Sequence, residues 1–197
     1  TGTYTITVTN TANGCTATDN ASVTSNTTAP VANAGTDQIL TCTANTVVLN
    51  GSGSSTGAGF TYNWGTATGT IVSGGTTTSA TVSQNGTYTI TVTNTVNGCT
   101  TTDAATVTSN ITPPLASAGT DPTLTCAVNT ATLDGSASST GAGFTYAWST
   151  TGGTIASGAA TINPTVSAAG TYTVVVTNSA NGCTASDAVT VLSDYSQ

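Results

Sequence analysis

The sequence predicts an all-β protein of tandem two-sheet β-sandwiches, arranged end to end as a rod, and three observations predict it. A block of 84 residues recurs, apolar residues alternate with threonine inside each block, and turn-forming residues interrupt the alternation at regular spacing. The recurrence is the strongest of the three. Asn-Gly-Cys places its cysteine at positions 15, 99 and 183, two intervals of 84 residues (99 − 15 and 183 − 99). Leu-Thr-Cys ends at Cys42 and Cys126; Trp64 and Trp148 keep the same interval, as do Tyr4, Tyr88 and Tyr172. Aligned without a gap, Ala29–Thr112 and Pro113–Ser196 agree at roughly sixty per cent of positions, so they read as two whole repeats. Residues 1–28 then read as the last two strands of an incomplete upstream repeat, followed by repeats at 29–112 and 113–197.

Alternation supplies the strands. Gly86–Thr93 places Tyr88, Ile90 and Val92 on one face and threonine on the other, the period-two signature of a half-buried strand. Asn94–Gly98 follows as a turn, since Asn-Gly tolerates positive φ, and a further strand covers Ala104–Ser109. Upstream, Thr46–Leu49 and Phe60–Trp64 are short strands separated by the Gly/Ser-rich turn Gly51–Gly59, and Ile71-Val72 and Thr81-Val82 mark weaker ones. Six to eight short strands per repeat predict a two-sheet sandwich. The boundaries Thr28-Ala-Pro30 and Thr112-Pro-Pro114 hold proline, which restricts itself and its predecessor to extended geometry and makes short, semi-rigid linkers.

Composition narrows the function. The chain has no Lys, Arg, His, Glu or Met, its seven acidic residues are all Asp, and about a quarter of its residues are Thr. Disordered chains are poor in β-branched and aromatic residues and rich in charge; this one is the reverse. Without a cationic side chain there is nothing to neutralise phosphate, which excludes nucleic acid, and nothing for polybasic attachment to anionic membranes. No run of 18 apolar residues exists to span a bilayer as a helix. The chain does not open on a basic and then apolar leader, which is read as truncation of a longer polypeptide and not as cytoplasmic residence.

The runs Ala32-Asn-Ala-Gly-Thr-Asp37, Leu49-Asn-Gly-Ser-Gly-Ser54, Tyr62-Asn-Trp64 and Gly86-Thr-Tyr88 stand in a characteristic order, and the second repeat matches them. Its versions are Ala116-Ser-Ala-Gly-Thr-Asp121, Leu133-Asp-Gly-Ser-Ala-Ser138, Tyr146-Ala-Trp148 and Gly170-Thr-Tyr172. In these residues the chain resembles the PKD family of immunoglobulin-like β-sandwiches. With Asn-Gly-Cys-Thr before the last strand, it is similar to repeats of very large surface proteins of Bacteroidetes-type bacteria. The Trp-x-Phe-Gly-Asp-Gly turn usual in that family is replaced by Trp64-Gly-Thr-Ala-Thr68 and Trp148-Ser-Thr-Thr-Gly152. The resemblance implies an extracellular spacer or adhesion module and no chemistry.

The remaining residue types offer few sites. Cys-x-x-Cys spacing is absent and no His completes a zinc site; no base or cation is present to activate a thiol. One structural disulfide per repeat is expected, Cys42 with Cys99 and Cys126 with Cys183, leaving Cys15 unpaired with its partner outside the chain. Closing a loop of about 58 residues is worth about 4 kcal/mol by chain entropy and requires an oxidising compartment. Asp37 and Asp121 recur at one position, and Asp19, Asp103 and Asp187 at another. Asp37, Asp103, Asp121 and Asp187 are calcium candidates; the alternative is that they bond backbone amides in turns. Asn50 at the position of Asp134 fits a turn role. Repetition also argues against paired carboxylates for glycoside hydrolysis.

Trp64, Trp148, Tyr88 and Tyr172 are expected in the core, with sugar stacking by Tyr62 and Trp64 as the alternative. The Thr87, Thr89, Thr91 and Thr93 ladder is read as a solvated sheet face, with ice binding as its alternative. No catalytic residue, cofactor or firmly held metal is expected. The favoured reading is a non-catalytic structural or adhesive region of an extracellular stalk, adhesin or filament. Its expected partners are neighbouring repeats of the same protein, and other copies in a filament. Two alternatives stand beside it: an accessory module of a secreted hydrolase, and a Thr-rich ligand- or ice-binding surface.

Overall fold

In the computed structural model, which describes residues 1–194, alternation becomes strands and no helix forms among the described residues. The first two strands are β1 (Gly2–Thr9) and β2 (Thr16–Val23). Seven follow: β3 (Gln38–Thr41), β4 (Val47–Asn50), β5 (Phe60–Thr66), β6 (Ile71–Ser73), β7 (Ser79–Val82), β8 (Gly86–Asn94) and β9 (Thr100–Asn110). The series then repeats as β10 (Thr123–Thr125), β11 (Ala131–Thr132), β12 (Phe144–Thr151), β13 (Ile155–Ser157), β14 (Thr165–Val166), β15 (Gly170–Asn178) and β16 (Thr184–Asp194). The three residues that complete the span 113–197 lie outside the described residues.

Strands β3-β9-β8-β5 form one sheet and β4-β7-β6 the other; β10-β16-β15-β12 and β11-β14-β13 repeat the pattern. Three neighbours in one sheet, with the first strand joined to their edge, against three in the second, is the immunoglobulin-like sandwich. Antiparallel pairing is general, except that β3 runs parallel to β9 (Gln38 beside Val107, Thr41 beside Asn110) and β10 parallel to β16. The tandem sandwiches have separate cores. Leu49, Trp64, Val82, Tyr88, Ile90, Val92 and Val107 fill the first; Leu133, Trp148, Val166, Tyr172, Val174, Val176 and Val191 fill the second. Burying such a side chain is worth about 1.5–3 kcal/mol, so β8, with Tyr88, Ile90 and Val92 wholly buried, is the main apolar contributor to its sheet.

Strands β3 and β10 are the elements the alternation missed. Each is four residues or fewer and buries one side chain, Leu40 or Leu124, so no period exists to read. The strand through Ala104–Ser109 is also longer than expected, running from Thr100 to Asn110. Residues 100–107 of it pair with β8 and residues 107–110 carry β3, so pairing rather than hydrophobicity sets its length.

Strands β1 and β2 pair in the register of β8 and β9: Gly2 faces Val23 as Gly86 faces Val107, and Thr9 faces Thr16 as Thr93 faces Thr100. Their apolar face has no sheet beneath it. Tyr4, Ile6 and Val8 are 62%, 63% and 61% exposed, where Tyr88, Ile90 and Val92 are at 0%.

Candidate functional site at the repeat junction

Residues Thr41–Ala44 form a tight turn after β3, closed by the Thr41 N–H on the Ala44 carbonyl (3.0 Å) and by the Ala44 N–H on Thr41 Oγ1 (3.0 Å). The turn presents Cys42. In the next repeat, Asn178–Cys183 joins β15 to β16, closed by the Asn178 N–H on the Cys183 carbonyl (2.9 Å) and the Gly182 N–H on the Asn178 carbonyl (2.8 Å). Gly182 takes φ +68°, and no residue other than glycine has positive φ among the described residues, so the glycine rather than the asparagine of Asn-Gly makes this turn possible.

These two turns meet. Cys42 is bonded to Cys183, 141 residues away, with the Cα atoms 5.0 Å apart. The Cys42 N–H donates to the Asn181 carbonyl (3.1 Å). The Asn181 amide donates to Asn110 Oδ1 and to the Thr112 carbonyl, both at 3.0 Å, while its own oxygen accepts the Cys183 N–H at 2.9 Å. Asn181 is 2% exposed and Cys183 1%. A side chain on Gly182 would collide with Thr43. The junction is therefore a buried, hydrogen-bonded plug under a covalent staple, and not a flexible linker.

The pairing expected within each repeat is corrected by this bond: Cys42 is not joined to Cys99, nor Cys126 to Cys183. Cys15, Cys99 and Cys126 are free thiols. Strand β9 explains why. Cys42 lies just beyond the Thr41–Asn110 pair at one end of it, and Cys99 directly precedes Thr100 at the other. Ten residues of strand separate those ends (110 − 100), about 33 Å at 3.3 Å each, and cysteines whose Cα atoms are more than about 7 Å apart cannot be bridged. Periodicity requires only that each cysteine find the same partner type one period on, and a bond between successive repeats satisfies that as well as a bond within one.

The recurrent aspartates serve the backbone. Asp103 Oδ2 accepts the Ala34 N–H and Asp37 Oδ1 the Thr106 N–H, both at 2.8 Å; Asp187 does the same for Ala118 (2.8 Å) and Asp121 for Thr190 (3.1 Å). These bonds span 69 residues and clasp the segment leading into β3 or β10 onto the long last strand, so they are not turn contacts. No cluster of three or more potential metal ligands occurs among the described residues. Asn50 and Asp134 do make a shared turn contact, to the amides of Ser52 (3.1 Å) and Ser136 (3.0 Å). The Ser136 hydroxyl, and then its N–H, hold the Asp134 carboxyl below the ordinary aspartate range. The stabilisation this gives is present above the unfolded-state pKa and fades as pH falls through the folded one.

Trp64 and Trp148 are 4% and 6% exposed, and their indole N–H groups donate to the Thr77 and Thr161 carbonyls at 3.0 Å. Tyr62 and Tyr146 bond the Ser55 and Ser139 carbonyls at 2.9 Å. Tyr88 donates to the Gln84 carbonyl (2.7 Å) and Tyr172 to the Ala168 carbonyl (2.6 Å), the tyrosine corner of this architecture. None of these rings is presented for stacking on a sugar. Outside, Thr61, Thr93 and Thr100 align across β5, β8 and β9, as do Thr91 and Thr102 beside Asn63. The second repeat keeps only the first of these rows, as Thr145, Thr177 and Thr184; Val175, Ser186 and Ala147 stand at the places of Thr91, Thr102 and Asn63.

Sequence reasoning also missed two serine pairs. Ser54 and Ser55 accept the N–H groups of Asn33 and Val31 at 2.9 Å, and Ser138 and Ser139 those of Ser117 and Leu115. They strap the proline-containing entry segment to the Gly/Ser-rich turn. Their recurrence at the 84-residue interval was the available signal. A shallow cleft of about 250 Å³ beside Leu40, Asn45, Gln84 and Ile111 holds no acid, base or thiol.

No protein-family model matches the chain, and no curated protein matches it. Among solved structures it is similar to the PKD domain of the KIAA 1837 protein (28% identity over 42% of this chain and 87% of that one, TM-score 0.36). It is also similar to an I-band fragment of titin (12% identity, 83% and 65%, TM-score 0.39). A third likeness is to extracellular domains 3-5 of Drosophila OTK (13% identity, 98% and 71%, TM-score 0.32).

Proposed function

We propose that this chain is a non-catalytic structural or adhesive repeat region of an extracellular surface protein, stalk or filament. It is divided at 28/29 and 112/113, and its task is to hold successive sandwiches in a fixed line. The junction carries this reading. A buried asparagine, a glycine fitted against Thr43 and the Cys42–Cys183 bond occupy the contact between repeats, and the covalent bond restrains the relative motion that a small polar contact alone permits. The bond itself argues for an oxidising location, since such disulfides are rare where thiols are kept reduced. The absence of His, Lys, Arg and Glu removes the usual acid, base and phosphate-binding groups, which supports a role without catalysis. It also removes trypsin-type cleavage sites, which suits a long-lived extracellular fibre.

The test is small-angle X-ray scattering of the oxidised chain, with and without reductant. The oxidised protein is expected to scatter as one elongated rigid body, and reduction to broaden its distance distribution. Freely jointed repeats in the oxidised protein would overturn the reading.

A further inference from the structure

We infer that Cys126 and Cys99 are the two open halves of the joint seen at Cys42–Cys183, each fitted to a further repeat of this kind in the same polypeptide. The array would then be stapled at every junction, from the Leu-Thr-Cys turn of one repeat to the Asn-Gly-Cys turn of the next. The inference rests on the structural-array reading and goes beyond it by naming the partner each end of a repeat recognises.

Both halves are already shaped for the bond. The turn bearing Cys126 is closed by the Thr125 N–H on the Val128 carbonyl (2.9 Å) and the Val128 N–H on Thr125 Oγ1 (3.1 Å), the pattern of the turn bearing Cys42. The turn bearing Cys99 matches the one bearing Cys183: the Asn94 N–H meets the Cys99 carbonyl at 2.9 Å, and the Cys99 N–H meets Asn97 Oδ1 at 2.9 Å. The second, independent observation is that Asn97 is already engaged. Its amide donates to Asn26 Oδ1 (3.1 Å) and to the Thr28 carbonyl (3.0 Å), the counterparts, 84 residues earlier, of Asn110 and Thr112, which Asn181 holds. That joint is assembled on its linker side, and only the Leu-Thr-Cys turn is missing from it. Gly98 has nothing within 4 Å of where a side chain would begin, the space that Thr43 fills beside Gly182.

The separation agrees. With bonded cysteines separated by 141 in sequence, Cys126 points to position 267 (126 + 141), one 84-residue period after Cys183. Cys99 points to position −42 (99 − 141), one period before Cys42. Bond formation removes two electrons and two protons from a pair of thiols; a disulfide oxidant accepts them and leaves as two thiols.

The experiment uses the full chain and the same chain lengthened by one more copy of residues 113–196 placed after residue 196. Both are alkylated while folded and unreduced, then cleaved on the aromatic side chains and mapped by mass spectrometry. Cys126 is expected to take the label in the original chain and to lose it in the longer one, where its peptide is recovered bonded to the added Asn-Gly-Cys peptide. In the longer chain, Cys126→Ser is expected to leave that added cysteine labelled. Label retained at Cys126 while Cys42–Cys183 stays bonded, or a bond from the added Asn-Gly-Cys to the Leu-Thr-Cys of its own repeat, would overturn the inference. Scattering separates the two ideas. A rigid longer chain with Cys126 labelled sinks the inference alone, and a jointed chain with Cys126 bonded sinks the array reading.

Discussion

Asn181 does the work of three groups in one buried position: its amide ties down the linker carbonyl and the Asn110 side chain, its oxygen orders the turn, and its backbone carbonyl meets Cys42. Removing a buried hydrogen-bonding side chain strands its partners, at a cost of about 1–3 kcal/mol. Asn181→Ala is therefore expected to lower stability by about that amount in chemical denaturation and to speed reduction of Cys42–Cys183. Asn97→Ala, at the joint whose turn is more exposed, is expected to cost clearly less. Equal costs would show that the plug adds nothing beyond the local turn. Charge matters little at this scale. No cationic side chain exists to pair with Asp, and Asp37, Asp103, Asp121, Asp134 and Asp187 accept backbone N–H groups instead.

At the scale of elements, the long last strand organises each sandwich: it completes the sheet with β8, carries β3 in parallel and receives the clasp from Asp37 through Thr106. Asp103 adds the reverse clasp, from β9 back to the wholly buried Ala34. Asp103→Ala is expected to cut amide-exchange protection at Ala34 and through β3, while the β8 amides keep theirs. Unchanged exchange at Ala34 would show the clasp to be incidental. The same elements show what was legible in advance. Strand β8 was readable because Tyr88, Ile90 and Val92 must share a face, and the Asn94–Gly98 turn because Asn-Gly has few other uses. Strand β3 was not, because it is held by pairing with β9 and by aspartate clasps at Ala34 and Asp37 that each span 69 residues. The cysteine partners were not legible either. An 84-residue period says which residues are equivalent, and it says nothing of which end of the sandwich each occupies.

For the whole molecule, the crosslink changes the topology of the covalent chain. Passing through sulfur from residue 42 to residue 183 bypasses the 140 residues between them (183 − 42 − 1). Tension applied at the two ends then runs along the bypass, and most of both cores, from β4 through β15, lies inside the shielded loop, with Ala34, Leu40, Val189 and Val191 outside it. At about 3.5 Å per extended residue, that loop hides about 490 Å of contour length. Single-molecule pulling on the oxidised chain is expected to show no extension from those residues at forces that unfold ordinary sandwiches. Reductant is expected to release it in two steps, one per repeat. Release of the full length under oxidising conditions would mean that the bond does not carry load. A chain crosslinked in this way limits its own stretch: its compliance is confined to the short stretches outside each bypass, and its extensibility is set by the redox state of its surroundings.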